Sequence, residues 1–201
     1  MISYAPSLVP VLSGMAHCNE YPWLAARGSR LAARGRKLEA DVTNLERFVE
    51  AQDEVGQYEA ALQEIKAGRK RGHWIWYVFP QIAGLGMSTM SRMYAIRDRN
   101  EAEAYLRHPV LFPRLSEMTA AVAAQLRNGV AIDDLMGSSI DATKLVSSMT
   151  LFRGIASRLH PTATDERLTG FVNLADEILA AASRQGYPPC KESLAITAPR
   201  G

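Results

Sequence analysis

Between residues 68 and 91 the chain reads GRKRGHWIWYVFPQIAGLGMSTMS, with basic, imidazole, aromatic and glycine residues interleaved. Each type offers something a small-molecule site uses. Lys70 supplies a point charge. His73 supplies an imidazole that can donate or accept a hydrogen bond. Trp74 and Trp76 present flat faces and an indole donor. Gln81, just after Pro80, is a two-sided hydrogen-bonding group. Gly84 and Gly86 precede Ser88, and a glycine loop running into a helix start exposes backbone N–H groups to an anion. Lys70, His73, Trp74, Trp76, Gln81, Gly84, Gly86 and Ser88 are therefore expected to line a site for a phosphorylated or nucleotide-like ligand. The competing reading is a core, with Trp74, Trp76 and Phe79 buried and Arg69, Lys70 and Arg71 facing water. Burial alone is met by Leu or Ile, which leave no indole N–H to satisfy, and this speaks for the site.

A second constellation lies at Asp141, Lys144 and Ser148. Lys144 and Ser148 fall one helical turn apart, and a lysine can activate a serine if burial lowers its pKa. The bland alternative pairs Lys144 with Asp141 and lets Ser147, Ser148 and Thr150 bring neighbouring helices close. Glu50, Glu54, Glu59 and Glu64 are candidate acids or bases that the sequence does not rank, and a solvated face accounts for them as well. The four histidines are scattered, no Cys pair or H-E-x-x-H occurs, and neither a metal nor a cofactor is expected.

These residues need a scaffold, and the periodicity predicts a helical one. Val42, Leu45, Phe48, Val49 and Gln52 follow three-four spacing, and Asp53 offers a cap to a second stripe of Tyr58, Ala61, Leu62 and Ile65. Asn100 with Glu103 reads as a helix start, and Pro109 suits the first turn of the next helix, which carries Leu111, Leu115, Met118, Val122 and Leu126. Asp141 is placed to cap a helix bearing Leu145, Met149, Phe152 and Ile155. Thr164 or Asp165 starts the last long one. HWIWYVF is read as helix, because a lone strand has nothing to pair with. The expectation is an all-α domain of about seven helices over residues 42–196, with a short tail at 197–201.

Residues 1–41 differ in texture. They hold Pro6, Pro10, Pro22 and a low-complexity ARGSRLAARGRK, and are read as a loose basic arm or upstream extension. The net charge of +2 is concentrated there, which leaves a near-neutral body and makes nucleic-acid binding an unfavoured reading. No window is long and apolar enough for a membrane span. Cys18 and Cys190 have no neighbouring partner, which points to a reducing, cytoplasmic setting.

The central stretch GRKRGHWIWYVFPQIAGLG is preceded by LERFVEAQ and followed by AEAYLRHPVLFPRL and KLVSSMTLF. With these motifs in this order, from about Leu45 to Ile196, the chain resembles a bacterial family of unknown function, Domain of Unknown Function 1810, whose members often carry the label calpastatin. The resemblance implies a compact, mostly helical domain and brings no activity. The calpastatin label implies a largely disordered protease inhibitor, which the amphipathic stripes contradict. ILAAASRQG stands where the family has an aromatic-rich end to its last helix. Two functions follow as expectations. One is a small-molecule binding domain, in its stronger form an enzyme on ADP-ribose-type or nucleotide substrates. The other is a helical protein-interaction module without catalysis. The oligomeric state is not legible.

Overall fold

The computed structural model describes residues 45–159 and 165–198, all of which belong to the unit Leu38–Gly201. The expected arm over 1–41 lies outside the described residues.

The first helix, α1, spans 45–53 and buries Leu45, Phe48, Ala51 and Gln52. A 3-10 turn at Glu54–Gly56 follows, in which Val55 and Gly56 both take left-handed backbone angles (φ 47° and 70°), so α1 and α2 (Gln57–Lys66) do not merge. Asp53 does not cap α2; its carboxylate pairs with Arg114 at 2.6 Å. After a loop, α3 (Ile75–Val78) and α4 (Thr89–Met93) are single short turns. Then come α5 (Arg99–Arg107), α6 (Leu111–Arg127), α7 (Ile132–Met136), α8 (Ser139–Leu159), α9 (Glu166–Arg184) and α10 (Lys191–Thr197).

The architecture is all-α. It holds more helices than the seven expected, because α4, α7 and α10 are too short to show a stripe. The expectation of a helix in HWIWYVF holds for only four residues. Among the described residues the one β pairing is an isolated parallel bridge between Ile82 and Ile96. It holds the chain on both sides of the glycine loop, through Ile96 N–H to the Gln81 carbonyl (2.8 Å) and Ala83 N–H to the Ile96 carbonyl (2.9 Å).

Helix α8 organises the rest. Eleven of its residues are buried and they fall on all its sides, so it runs through the interior, with α5, α7, α9 and α10 packed around it. α6 packs on α2 and α9. Tyr105 of α5 meets Phe152 of α8 (ring centroids 4.9 Å apart) and, edge-on, Phe48 of α1 (5.3 Å). Phe112 of α6 meets Phe171 of α9 edge-on at 5.8 Å. α10 docks on α8 where Gly154 lies against Thr197 and the hydroxyls of Ser147 and Ser193 meet at 3.2 Å.

Three further helix starts differ from expectation. Asp98, not Asn100, caps α5, accepting from Glu101 N–H at 3.0 Å. Ser138, not Asp141, serves the start of α8, accepting from Asp141 N–H at 3.1 Å. Pro109 precedes α6 rather than sitting inside its first turn. Asp165 caps α9 as read.

Candidate functional site

The GRKRG loop leaves α2 at Gly68 and is fastened on two sides. On one side stands Glu64, from the last turn of α2. Its carboxylate accepts from the N–H of Arg71 (2.8 Å), the N–H of Gly72 (2.9 Å) and the indole Nε1–H of Trp74 (2.7 Å). A side chain at Gly72 would meet both the Trp74 ring and Glu64, which is why glycine stands there. Burial works against the charge on Glu64, but these donors and the nearby Lys70 ammonium hold its carboxyl below the usual range. On the other side stands the end of α7. Lys70 N–H donates to the Leu135 carbonyl at 2.7 Å. Gly137, at φ 74°, leaves its missing Cβ only 2.9 Å from the Lys70 carbonyl oxygen, so a side chain would push the strands of this loop apart.

Held this way, Lys70 turns inward. Its side chain is 6% exposed and its Nζ lies 2.6 Å from Asp141 Oδ2, 2.7 Å from the Gly72 carbonyl and 5.2 Å from the Trp74 ring centroid. The other carboxylate oxygen of Asp141 takes Lys144 Nζ at 2.8 Å. Lys144 in turn sits 4.6 Å from the ring centroid of Trp76. The result is a chain of alternating charge: Glu64, the Trp74 indole, Lys70, Asp141, Lys144, the Trp76 indole. Burial opposes the charge on Asp141, and the two lysines more than offset this, so its carboxyl lies below the ordinary carboxylate range. The chain runs from inside to outside. Trp74 is 1% exposed, whereas Trp76 is half-buried and packs on the edge of the core.

The structure thus joins the two constellations of the sequence: Lys70, Trp74 and Trp76 from the first, Asp141 and Lys144 from the second. It gives the remaining candidates other surroundings. His73 is exposed. Gln81 is half-buried and uses its backbone carbonyl in the bridge to Ile96. Ser88 caps α4 by accepting from Ser91 N–H at 3.1 Å, and Gly86 lies directly against Ser91. Gly84, at φ 98°, makes the turn before it. Ser148 is buried and, among the described residues, its Oγ has no hydrogen-bond partner, so Lys144 does not reach it and no lysine–serine pair forms. Thr150 bonds the Val146 carbonyl at 2.7 Å, and Ser147 serves the α10 contact. Among the described residues no three His, Cys, Asp or Glu side chains are grouped to hold a metal ion.

Sequence reasoning left Glu64 among four equivalent acids. One signal points to it: the indole N–H of a core tryptophan in the next loop needs an acceptor.

Residues 42–175 match the model of a protein family described as a protein of unknown function, DUF1810. The chain is also similar to a solved structure, the crystal structure of the conserved hypothetical protein Rv1873 from Mycobacterium tuberculosis, with 37% identity and a TM-score of 0.57 over 76% of this chain and 94% of the other. No curated protein matches it.

Proposed function

The chain belongs to the DUF1810 family of proteins of unknown function, and we propose that it binds a small anionic molecule, phosphorylated or nucleotide-like, at the Lys144–Trp76 end of the charge chain. One observation carries this reading: an ammonium held over a partly exposed indole face, with a second lysine behind it across a shared carboxylate. A planar base stacks on the indole, and the ammonium meets the anionic group. Lys70 and Trp74 have no part in contacting such a ligand, since both are buried and their polar atoms are engaged. Their role is to set the position of Asp141, which sets that of Lys144.

A cytoplasmic setting goes with this proposal and rests on the two separated cysteines. Among the described residues no helix is long and apolar enough to cross a membrane. Turnover of an ADP-ribose-type or nucleotide substrate is the stronger form of the reading.

The test is a thermal-shift and calorimetric screen with AMP, ADP-ribose, NAD and sugar phosphates, repeated on Lys144→Ala and Trp76→Ala. A ligand present at 100 times its Kd raises stability by about 2.7 kcal/mol, and both variants should remove that gain. Chromatography of the same mixtures reads turnover. No stabilisation by any compound, or stabilisation that survives both variants, would replace this reading with the interaction module. The exposed side chains of Val55, Met87 and Ile140 are the apolar groups such a module would offer.

A further inference from the structure

We propose that a second binding site lies where α5, α6 and α9 meet, and that it takes a small carboxylate or phosphate monoester carrying an apolar body. It belongs to the motif YLRHPVLFPRL, whose His108 the sequence reading did not use.

The space there is a cavity of about 530 Å³, within the size range of small-molecule sites. Its wall divides into two kinds of surface. One is apolar: Pro109, Phe112 and Leu168, with Phe112 itself only 5% exposed and braced by Phe171. The other is made of hydrogen-bond donors: Arg107, His108 and Arg167.

His108 is the most constrained of them. Its Nδ1 accepts from the N–H groups of Val110 and Leu111, each at 3.3 Å, at the start of α6. A ring nitrogen that accepts carries no proton, so the neutral ring bears its hydrogen on Nε2. Burial also lowers the pKa of His108, which favours this neutral tautomer. Among the described residues no acceptor meets Nε2, so the lining of the cavity holds a donor of fixed identity.

The two arginines are held loosely. Arg107 reaches Glu103 only at 3.6 Å and is 62% exposed; Arg167 reaches Asp165 at 3.3 Å and is 77% exposed. Exposed pairs of this kind contribute little, so an incoming anion can take either guanidinium. Asp165 does not turn the cavity acidic, because its carboxylate caps α9 through the N–H groups of Arg167 and Leu168 and also meets the Arg167 guanidinium. The cavity further lies at the N-terminal ends of two long helices, α6 and α9. The first N–H groups of both are already met, by His108 Nδ1 at α6 and by the Asp165 carboxylate at α9, so the preference for an anion rests on the two guanidinium groups and the Nε2 donor. A cationic ligand is repelled by the two guanidinium groups, and a neutral one gains only the apolar wall and the Nε2 hydrogen bond.

The test uses four probes of one size: phenyl phosphate, benzoate, benzyl alcohol and benzylamine, with inorganic phosphate as a fifth. Binding is read by heteronuclear NMR of the His108 imidazole and the Phe112 and Leu168 amides. Phenyl phosphate and benzoate should shift these signals saturably, and Arg107→Gln with Arg167→Gln should weaken both by at least tenfold. His108→Asn keeps an oxygen for the α6 N–H groups and removes the Nε2 donor; it should weaken binding severalfold with the melt unchanged. Trp76→Ala should leave this binding intact, which separates the site from the Lys144–Trp76 edge. Three results would overturn the proposal: no saturable shift at His108, equal binding of benzylamine, or inorganic phosphate binding as tightly as phenyl phosphate.

Discussion

Trp74 and Trp76 stand two residues apart and each lies under a lysine, yet the two pairs are built for different work. The Trp74–Lys70 pair is closed. The indole N–H is spent on Glu64, the ammonium on Asp141 and the Gly72 carbonyl, and neither residue is more than 7% exposed. The Trp76–Lys144 pair is open, with a half-buried ring and an ammonium that has one carboxylate partner. The same two residue types therefore make a closed, buried pair at one end of the charge chain and a partly exposed pair at the other. Burial separates them. In the interior an unpaired polar atom costs about 1–3 kcal/mol, and both the Trp74 indole N–H and the Lys70 ammonium are paired there; the Lys144 side chain is 18% exposed and its ammonium has one carboxylate partner.

The comparison can be broken by mutation. The largest effect is expected at Trp74→Ala, which empties a fully buried site and leaves Glu64 without one of its donors. Chemical denaturation should show a loss of about 3–5 kcal/mol, against less than about half that for Trp76→Ala. Equal losses at the two positions would erase the distinction between closed and open pairs.

Next comes Lys70→Met. It leaves Asp141 with one ammonium instead of two in a largely buried place, where removing one partner of an ion pair costs about 3 kcal/mol or more. Lys144→Met removes the less buried of the two ammonium groups (side chain 18% exposed against 6%) and should cost less than Lys70→Met, while removing ligand-dependent stabilisation. The pair of measurements sharpens the comparison, because it asks one lysine to matter for the fold and the other for binding. Core truncations at Leu115→Ala and Phe152→Ala, both fully buried, supply the yardstick at about 2–5 kcal/mol.

A smaller effect is expected from acid. The carboxyl pKa values of Glu64 and Asp141 are both lowered in the folded protein. Carboxyls of this kind contribute stability that is present above their unfolded pKa, about 4, and is lost as pH falls through the lower folded value. A melting profile against pH should therefore fall below about pH 4, and Asp141→Asn should flatten that fall. A variant as acid-sensitive as the parent would show that Asp141 is not held by its lysines.

The smallest effect is optical. Iodide reaches an exposed indole near a cation more readily than a buried one. Trp76→Phe should remove most of the iodide-quenchable fluorescence of this segment, and Trp74→Phe should remove little.

Much of the scaffold was legible in the chain because long amphipathic helices repeat their apolar side several times. Leu111, Leu115, Met118 and Val122 are all buried as their spacing required. The starts of helices were less legible. A cap is a competition between nearby polar residues, and Ser138 serves the start of α8 while Asp141 turns to two lysines. The same competition put Asp98 ahead of Asn100. The short helix α7 was invisible for another reason: one turn carries no period to detect.

For the candidate site, residue types and the i, i+3 spacing of Asp141 and Lys144 were fixed by the sequence alone, as were the aromatic and basic character of residues 68–79. Which of them meet was decided only by tertiary structure. Lys70 and Asp141 are 71 positions apart in the chain, and no local rule pairs them. They meet because the end of α7 grips the loop at Leu135 and Gly137 while Glu64 grips it from α2. His73, of equal chemical promise, is exposed. Covalent order sets what a side chain can do; the packing of distant helices sets whether its charge is buried, paired or free to act.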